Sequence, residues 1–428
     1  MLAGLCAALA SWRAAGSVAR VPASMSPRTL PMVVAGLFGV FFMLGMSPGY
    51  YIPALSNILV AKGLAAKWAG WAFLAGPVAS LVSPLCLGAL ADNHYPAQKV
   101  FGWIGLISAV LLAGAFWTLD HGGSPWWFIG LLTASSIVAA PMWGMLASIS
   151  MVHLKSGERE FPLVRLGGTL GWMAAGFMTS HVLHADQSAV AGYAAAATRF
   201  VGGLVSFFLP HTPPMGSARS LRSLLGLDAF RLLKERDHLV FFSVTVMLSI
   251  PLAAFFLHTP LYLQAMGNRT AAATMTIGQI SEIGAMLLMP LVMNRFRVKT
   301  VLMVALVLSA VRYGFYAVSG ICGSMNWLLW GIGLHGMCYT LYFITGQLFL
   351  DRRVEPGMRG QAQGLLSLAS NGLGSLLGTL IASRLHQFTV LGGQGGWTTY
   401  WWVQAACIAL TVPVLAFFYQ GVAVAKRD

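Results

Sequence analysis

The sequence predicts an all-α polytopic membrane protein with twelve transmembrane helices in two six-helix pseudo-repeats. Of its 428 residues, 57% are hydrophobic and only 9% are charged. Soluble domains give about a quarter of their residues to charged side chains, so a water-exposed surface of this size would lack the charges to cover it. Apolar runs of about 20 residues, the length that a helix needs to cross a bilayer, recur along the chain.

The apolar runs are continuous and do not show the alternation that is typical of the strands of a membrane barrel, so the spans are predicted to be helices. We place them at residues 31–56, 67–91, 99–119, 125–151, 163–184, 188–210, 238–265, 270–293, 299–319, 325–350, 360–385 and 397–420.

The longest predicted loop divides the chain into two halves. Its leucines recur at helical spacing among Arg and Lys, which predicts an amphipathic helix on the membrane surface; a plain linker is the alternative. The resulting parts are a cytoplasmic N-terminal extension at 1–30, a six-helix bundle at 31–210, the cytoplasmic linker at 211–237, a second six-helix bundle at 238–420 and a cytoplasmic tail at 421–428.

The net charge of +14 comes from basic residues that are unevenly placed. One predicted side of the membrane holds only Lys62, Lys67, Arg269 and Arg384, whereas nearly all the others lie on the side of the termini and the linker. Positive charge accumulates on the cytoplasmic side, so both termini are expected in the cytoplasm, at the inner membrane. The charge therefore predicts contact with anionic lipids of the bilayer and no nucleic-acid partner.

The motifs of common enzymes and metal sites are missing. There is no HExxH, P-loop or GxSxG motif, and the five cysteines are scattered without a CxxC pair. We therefore expect no enzyme activity, no metal and no cofactor. The expected partner is a small molecule, and the chain is expected to be a monomer.

The two halves resemble each other in their loops and span starts. Asp92 follows the second span much as Arg295 follows the eighth, and Arg165 opens the fifth span as Arg359 opens the eleventh. These offsets of about two hundred residues predict a parallel repeat, which is the arrangement of the major facilitator superfamily, with substrate held between the halves. The stretch that ends at Asp92 resembles that superfamily's gate motif, although Asn93 replaces the usual basic residue.

Glu282 is the one acidic residue in the middle of a predicted span, where Gln279 shares its helical face. Ionisable groups inside a membrane are costly and are functional candidates by default. A carboxyl group in a partly dry cavity can bind and release a proton near neutral pH, as a proton-coupled carrier requires. The alternative is a protonated glutamate that only forms a hydrogen bond with a neighbouring helix.

Three arginines also lie within predicted spans: Arg165, Arg199 and Arg312. Arg165 starts a glycine-rich span and is a candidate hydrogen-bond donor in the central cavity or counter-charge to Glu282. An interfacial arginine whose head group reaches water is the alternative. Trp172 shares the helical face of Arg165, and we interpret Arg199 and Arg312 as structural.

His335, Tyr339 and Tyr342 lie on one face of the tenth span. An aromatic face suits stacking against a planar ring, and His335 adds a hydrogen-bonding edge. Simple packing between helices is the alternative. Asn371 in the eleventh span is a further candidate for the cavity.

Four segments together resemble the nucleoside:proton symporters of the major facilitator superfamily. They are Phe161–Trp172, Leu224–Phe230, Gln279–Glu282 and Arg359–Gly364 with Asn371, in the same order over nearly the whole chain. The resemblance implies proton-driven nucleoside uptake by alternating access. It also implies which residues contact the substrate: Arg165, Thr169, Trp172, Gln279, Glu282, His335 and Tyr339, with Glu282 coupling the proton and Asp92 in the gate.

The chain departs from the family in two places. The seventh span reads Pro251-Leu-Ala-Ala-Phe-Phe256 where the family carries polar residues, and Thr340 stands where an acidic residue is expected. A carrier for a sugar, an aromatic acid or a drug-like molecule therefore stays an alternative. A membrane receptor or enzyme that transports nothing is a third, because a fold does not fix a function.

Overall fold

The computed structural model describes residues 29–64, 66–86, 96–154, 157–213, 227–354 and 359–421. Within those ranges the chain is almost entirely helical and contains no β-strand, as predicted for an all-α fold. Asp92 and the rest of the predicted gate motif lie outside the described residues.

The first half of the described chain consists of α-helices and one π-helical segment. They are α1 Thr29–Tyr51, α2 Leu55–Ala61, α3 Ala66–Phe73, α4 Ala75–Cys86, α5 Ala97–Asp120, α6 Pro125–Ala139, α7 Met142–His153, α8 Gly157–Phe177, which the π-helical Met178–Val182 extends, and α9 Val190–Ser206.

The second half begins with the 3-10 helix Leu227–Lys234 and continues with helices that three π-helical segments join or extend. These elements are α10 Arg236–Ala265, α11 Ala271–Met275, α12 Ile277–Arg295, α13 Val298–Cys322, α14 Met325–Gly333, α15 His335–Tyr339, the π segment Thr340–Ile344, α16 Thr345–Arg353, α17 Arg359–Ser367, the π segment Leu368–Gly374, α18 Ser375–His386, the π segment Gln387–Leu391, α19 Gly396–Ala409 and α20 Thr411–Phe418.

Nine helical stretches of the described chain are long and apolar enough to cross a membrane. They include α1 with α2, α5, α6 with α7, and every predicted span of the second half. The other three predicted spans, at 67–91, 163–184 and 188–210, fall on α3 with α4, on α8 and on α9. The total of twelve spans stays a prediction.

The predicted linker is described at residues 211–213 and again from residue 227 onward, where the chain forms a 3-10 helix and not an α-helix. The leucine-rich part before residue 227 lies outside the described residues, so the amphipathic helix stays a prediction. Asp237, the last residue of the predicted linker, accepts hydrogen bonds from the backbone N–H groups of Gln420 and Gly421 and from Arg353. These contacts bring the linker and the C-terminal segment to the same end of the molecule, which we call the linker end.

Glycines bring α8 directly against α1. A Cβ atom on Gly167 would lie 2.6 Å from the carbonyl oxygen of Phe38, and one on Gly171 would overlap the carbonyl group of Phe42. Membrane helices approach this closely where small residues line the contact. Since this face of α8 is occupied by α1, the face that carries Arg165 points elsewhere.

A large apolar core joins the two halves. It contains Tyr50 and Phe116 from the first half and Phe255 and Tyr316 from the second. The two halves therefore pack against each other as well as internally, and the candidate site lies where they meet.

Candidate functional site

Three predicted residues lie on one face of α8. Arg165, Thr169 and Trp172 follow the i, i+4, i+7 spacing that aligns side chains along a helix. Arg165 is exposed, whereas Thr169 and Trp172 are half-buried. The glycine contacts with α1 fix the rotation of α8 and thereby direct this face toward the second half.

On the other side, α12 carries Gln279 and Glu282, and α15 packs directly on it. A Cβ atom on Gly278 would lie 3.1 Å from the Cβ of His335, and one on Gly336 would overlap the backbone of Glu282. Gln279 is 7% exposed, and its side-chain oxygen has no hydrogen-bond partner among the described residues. This contact places the carboxyl group of Glu282 beside the aromatic residues of α15.

The predicted residues of the two halves meet at Glu282. The side chains of Thr169 and Arg165 both interact with the Glu282 carboxyl group: the threonine hydroxyl lies beside it, and the arginine attracts it electrostatically. Tyr339 interacts with both Glu282 and Arg165. Glu282 on α12 thus interacts with side chains from two other helices, α8 of the first half and α15 of the second.

Aromatic rings form a continuous wall beside this polar centre. The ring of Trp172 lies 6.2 Å from that of Phe256, which in turn packs edge-on to His335 at 5.8 Å. Phe255 stacks on His335 at 4.3 Å, and His335 is 6.1 Å from Tyr339. Phe255 and Phe256 of the seventh predicted span therefore build part of this wall.

The remaining sequence candidates lie apart from this centre. Asn371 is exposed and donates a hydrogen bond to Ser367, and Tyr342 is buried and hydrogen-bonded to Thr245. In the described part of the chain, no group of three or more His, Cys, Asp or Glu side chains could hold a metal ion.

Opposite the linker end, the two halves are joined by hydrogen bonds that the sequence did not predict. Asp186, in the loop before α9, accepts a hydrogen bond from the backbone N–H of Ala272 at 2.8 Å. Ser180 accepts one from Ala273 at 2.9 Å. Both donors belong to the short helix α11, so the first half caps the N-terminus of a helix of the second half. We call this contact the Asp186 latch.

Two further bonds close the same end of the molecule. Ser56 of α2 donates to the carbonyl oxygen of Leu257 at 2.6 Å, and Asn57 donates to that of Pro260 at 3.3 Å. Lys62 and Asp120, which form an ion pair at 2.5 Å, also lie at this end. These contacts close the end of the molecule that lies opposite the linker end.

Two helical halves that enclose a polar centre, closed at one end, define a carrier that works by alternating access. The chain belongs to the nucleoside H+ symporter family, whose profile matches residues 35–423. The chain is therefore a multi-pass membrane transporter, and the expectation that it is not an enzyme is confirmed by this membership.

Curated relatives match over most of their length. The putative nucleoside transporter YegT of Escherichia coli K12 is 32% identical over 377 residues, which cover 85% of this chain and 88% of YegT. The nucleoside permease NupG of the same organism is 27% identical over 360 residues, or 80% of this chain and 85% of NupG.

Solved structures show the same fold. The crystal structure of nucleoside transporter NupG matches with a TM-score of 0.77 at 23% identity, over 91% of this chain and 99% of that one. A D-xylose–proton symporter matches with a TM-score of 0.71 at 10% identity, over 93% and 100%. The predicted major facilitator fold is thereby confirmed.

Proposed function

We propose that this chain imports nucleosides, or closely related small polar solutes, together with protons by alternating access. The observation that carries the proposal is the meeting of Glu282 with Arg165 and Thr169 across the two halves. Family membership supports the same reaction. A carboxyl group at this place links proton binding to the relative position of the halves.

Glu282 is the proposed proton-coupling residue. When it is ionised, it attracts Arg165 from the opposite half; when it is protonated, that attraction disappears and the carboxyl group can donate a hydrogen bond instead. One proton thus alters both the contact between the halves and the hydrogen bonds available to a substrate. This is the differential interaction that a conformational change requires.

The proposed substrate lies between the polar residues and the aromatic wall. The unpaired oxygen of Gln279 is a ready acceptor for a hydroxyl or ring N–H group, because a buried acceptor left without a donor is costly. Trp172, His335 and Tyr339 would pack against a planar ring. Thr169 and Arg165 would contact the more polar part of the solute.

We further propose an orientation and a gate. The basic residues of the termini and the linker support a cytoplasmic location for the linker end, so the Asp186 latch would face the outside of the inner membrane. Asp92 is proposed to act in the cytoplasmic gate. The protein is proposed to work as a monomer in contact with anionic lipid, without nucleic acid.

The test is nucleoside uptake into proteoliposomes with and without an inward proton gradient. The gradient should stimulate uptake by the wild-type protein, and Glu282→Gln should lose this stimulation because an amide cannot take up the proton. Asp120→Asn is the matched control, since it makes the same chemical change in an exposed ion pair far from the cleft. Gradient-stimulated uptake by Glu282→Gln would refute the coupling role.

A carrier for another solute is the second candidate, favoured by the apolar wall that Phe255 and Phe256 form. Thermal unfolding of the purified protein with nucleosides, sugars and aromatic acids separates the two candidates. Stabilisation by nucleosides supports the first, and stabilisation by another class alone supports the second.

A further inference from the structure

Among the described residues, each half buries one arginine, and the surroundings of the two differ. Arg199 in α9 is 8% exposed, and it donates hydrogen bonds to Ser47 and Ser135, each at 3.1 Å. It therefore ties three helices of the first half together. This is what a structural arginine in a membrane requires, because its donors must be satisfied inside the protein.

Arg312 in α13 is buried more completely, and its guanidinium group interacts with the hydroxyl group of Tyr316. It is 2% exposed, and its Nε and Nη2 groups have no hydrogen-bond partner among the described residues. Its guanidinium group lies between the rings of Phe255, at 4.4 Å, and Tyr313, at 4.5 Å. Cation–π contacts offset part of the desolvation cost, but they do not provide acceptors for the N–H groups.

The unpaired groups lie beside the candidate site. Arg312 lines a cavity together with Ser309, Cys338 and two residues of the aromatic wall, His335 and Tyr339. Phe255 connects Arg312 to His335 by stacking on both. This small cavity of about 20 Å³ thus adjoins the aromatic wall of the candidate site on the side of the second half, with the Arg312 side chain in its lining.

We propose that Arg312 determines specificity by binding an oxo oxygen on the ring of the transported solute. This proposal rests on the proposed function and adds the chemical class of the substrate. A guanidinium group can only donate, so it pairs with a ring carbonyl, whereas an amino group at the same position would face it with further N–H groups. Buried donors that stay unpaired are strongly penalised, which makes the site selective.

The test compares nucleosides that differ by oxo against amino at one ring position. Uridine is paired with cytidine and inosine with adenosine, each as a competitor of labelled uptake in proteoliposomes. The wild-type protein should favour the oxo member of each pair by about ten-fold or more. Arg312→Gln should reduce this preference toward unity because an amide accepts as well as donates, and Arg312→Lys should retain most of it.

Arg269→Gln is the control, since it removes an exposed arginine from a loop and should leave the ratio unchanged. A purely structural Arg312 would lower the uptake of all four nucleosides alike and keep the ratio, which overturns the inference. Equal uptake within both pairs by the wild-type protein overturns it even if Arg312→Gln fails to fold. If none of the four nucleosides is transported, the proposed function fails together with the inference.

Discussion

Glu282 differs from a buried glutamate that stabilises only its own bundle, because its partners Arg165 and Thr169 belong to the opposite half. Because Glu282 contacts both halves, a change in its protonation can alter the interaction between them. The position of the Glu282 carboxyl group depends on the close packing of α15 against the backbone of α12. Gly336 makes this close approach possible.

Gly336→Ala is predicted to separate α15 from α12. The added methyl group would overlap the backbone of Glu282 and Gly278, which cannot move aside as a flexible side chain could. Overpacking of this kind costs about 1–3 kcal/mol. Thermal unfolding in detergent should show the loss of stability, and uptake should fall with it.

Gly333→Ala is the matched control for this change. It lies one turn away, and its nearest neighbour would be the end of the Ile277 side chain at 3.8 Å, which is ordinary contact. Equal stability of the two variants would show that the helices are not packed as the structure has them.

At the scale of elements, α11 is too short to be stable alone, and it is held by the Asp186 latch. Burial raises the pKa of Asp186, although hydrogen bonds from Ala272 and Ser180 and the nearby His181 lower it in part. In the open state the carboxyl group is in water and has its ordinary pKa. Closing the latch therefore takes up protons, so closure is favoured at low pH and weakens as the pH rises through the raised value.

Asp186→Asn is predicted to remove this pH dependence, because the amide stays neutral throughout. The measurement is labelling of Thr276→Cys, beside the latch, by an impermeant maleimide at graded pH, relative to labelling of the exposed native Cys322. Acidification should protect position 276 in the otherwise wild-type protein only. If Asp186→Asn shows the same protection, another group controls the latch.

The sequence predicted individual residues of the candidate site better than the contacts that close one end of the molecule. Glu282 could be predicted from the sequence because an ionisable group in an apolar span costs free energy and is therefore a functional candidate. The helical period placed Gln279 beside it. Asp186 lies in the short loop between the fifth and sixth predicted spans, and nothing in a sequence shows that this loop will meet the start of a helix some 86 positions later. Arg312 was interpreted as structural, because the presence or absence of hydrogen-bond partners is a property of the packed bundle.

For the whole molecule, alternating access requires that the end closed by the Asp186 latch can open. A disulfide between Ser180→Cys and Ala273→Cys is predicted to block uptake, and a reductant should restore it. The side-chain oxygen of Ser180 and the backbone nitrogen of Ala273 are 2.9 Å apart, so the two residues are in direct contact across the halves.

The control disulfide joins Gly320→Cys to Thr398→Cys, which are in contact within the second half. It should leave uptake intact, since the two positions move together. Uptake that persists in the fully cross-linked Ser180–Ala273 pair would mean that the halves do not separate at this end.

Among the described residues, three of the four π-helical segments follow the linker, and the first half is held together by glycine contacts such as that of Gly171 with α1. Wide helical turns are points where a helix can bend or slip in register at low cost. The two repeats would then differ mechanically: the first half tilts as a rigid body, and helices of the second half bend to fit the bound solute. Substitutions that alter which solute is accepted should accumulate in the compliant repeat.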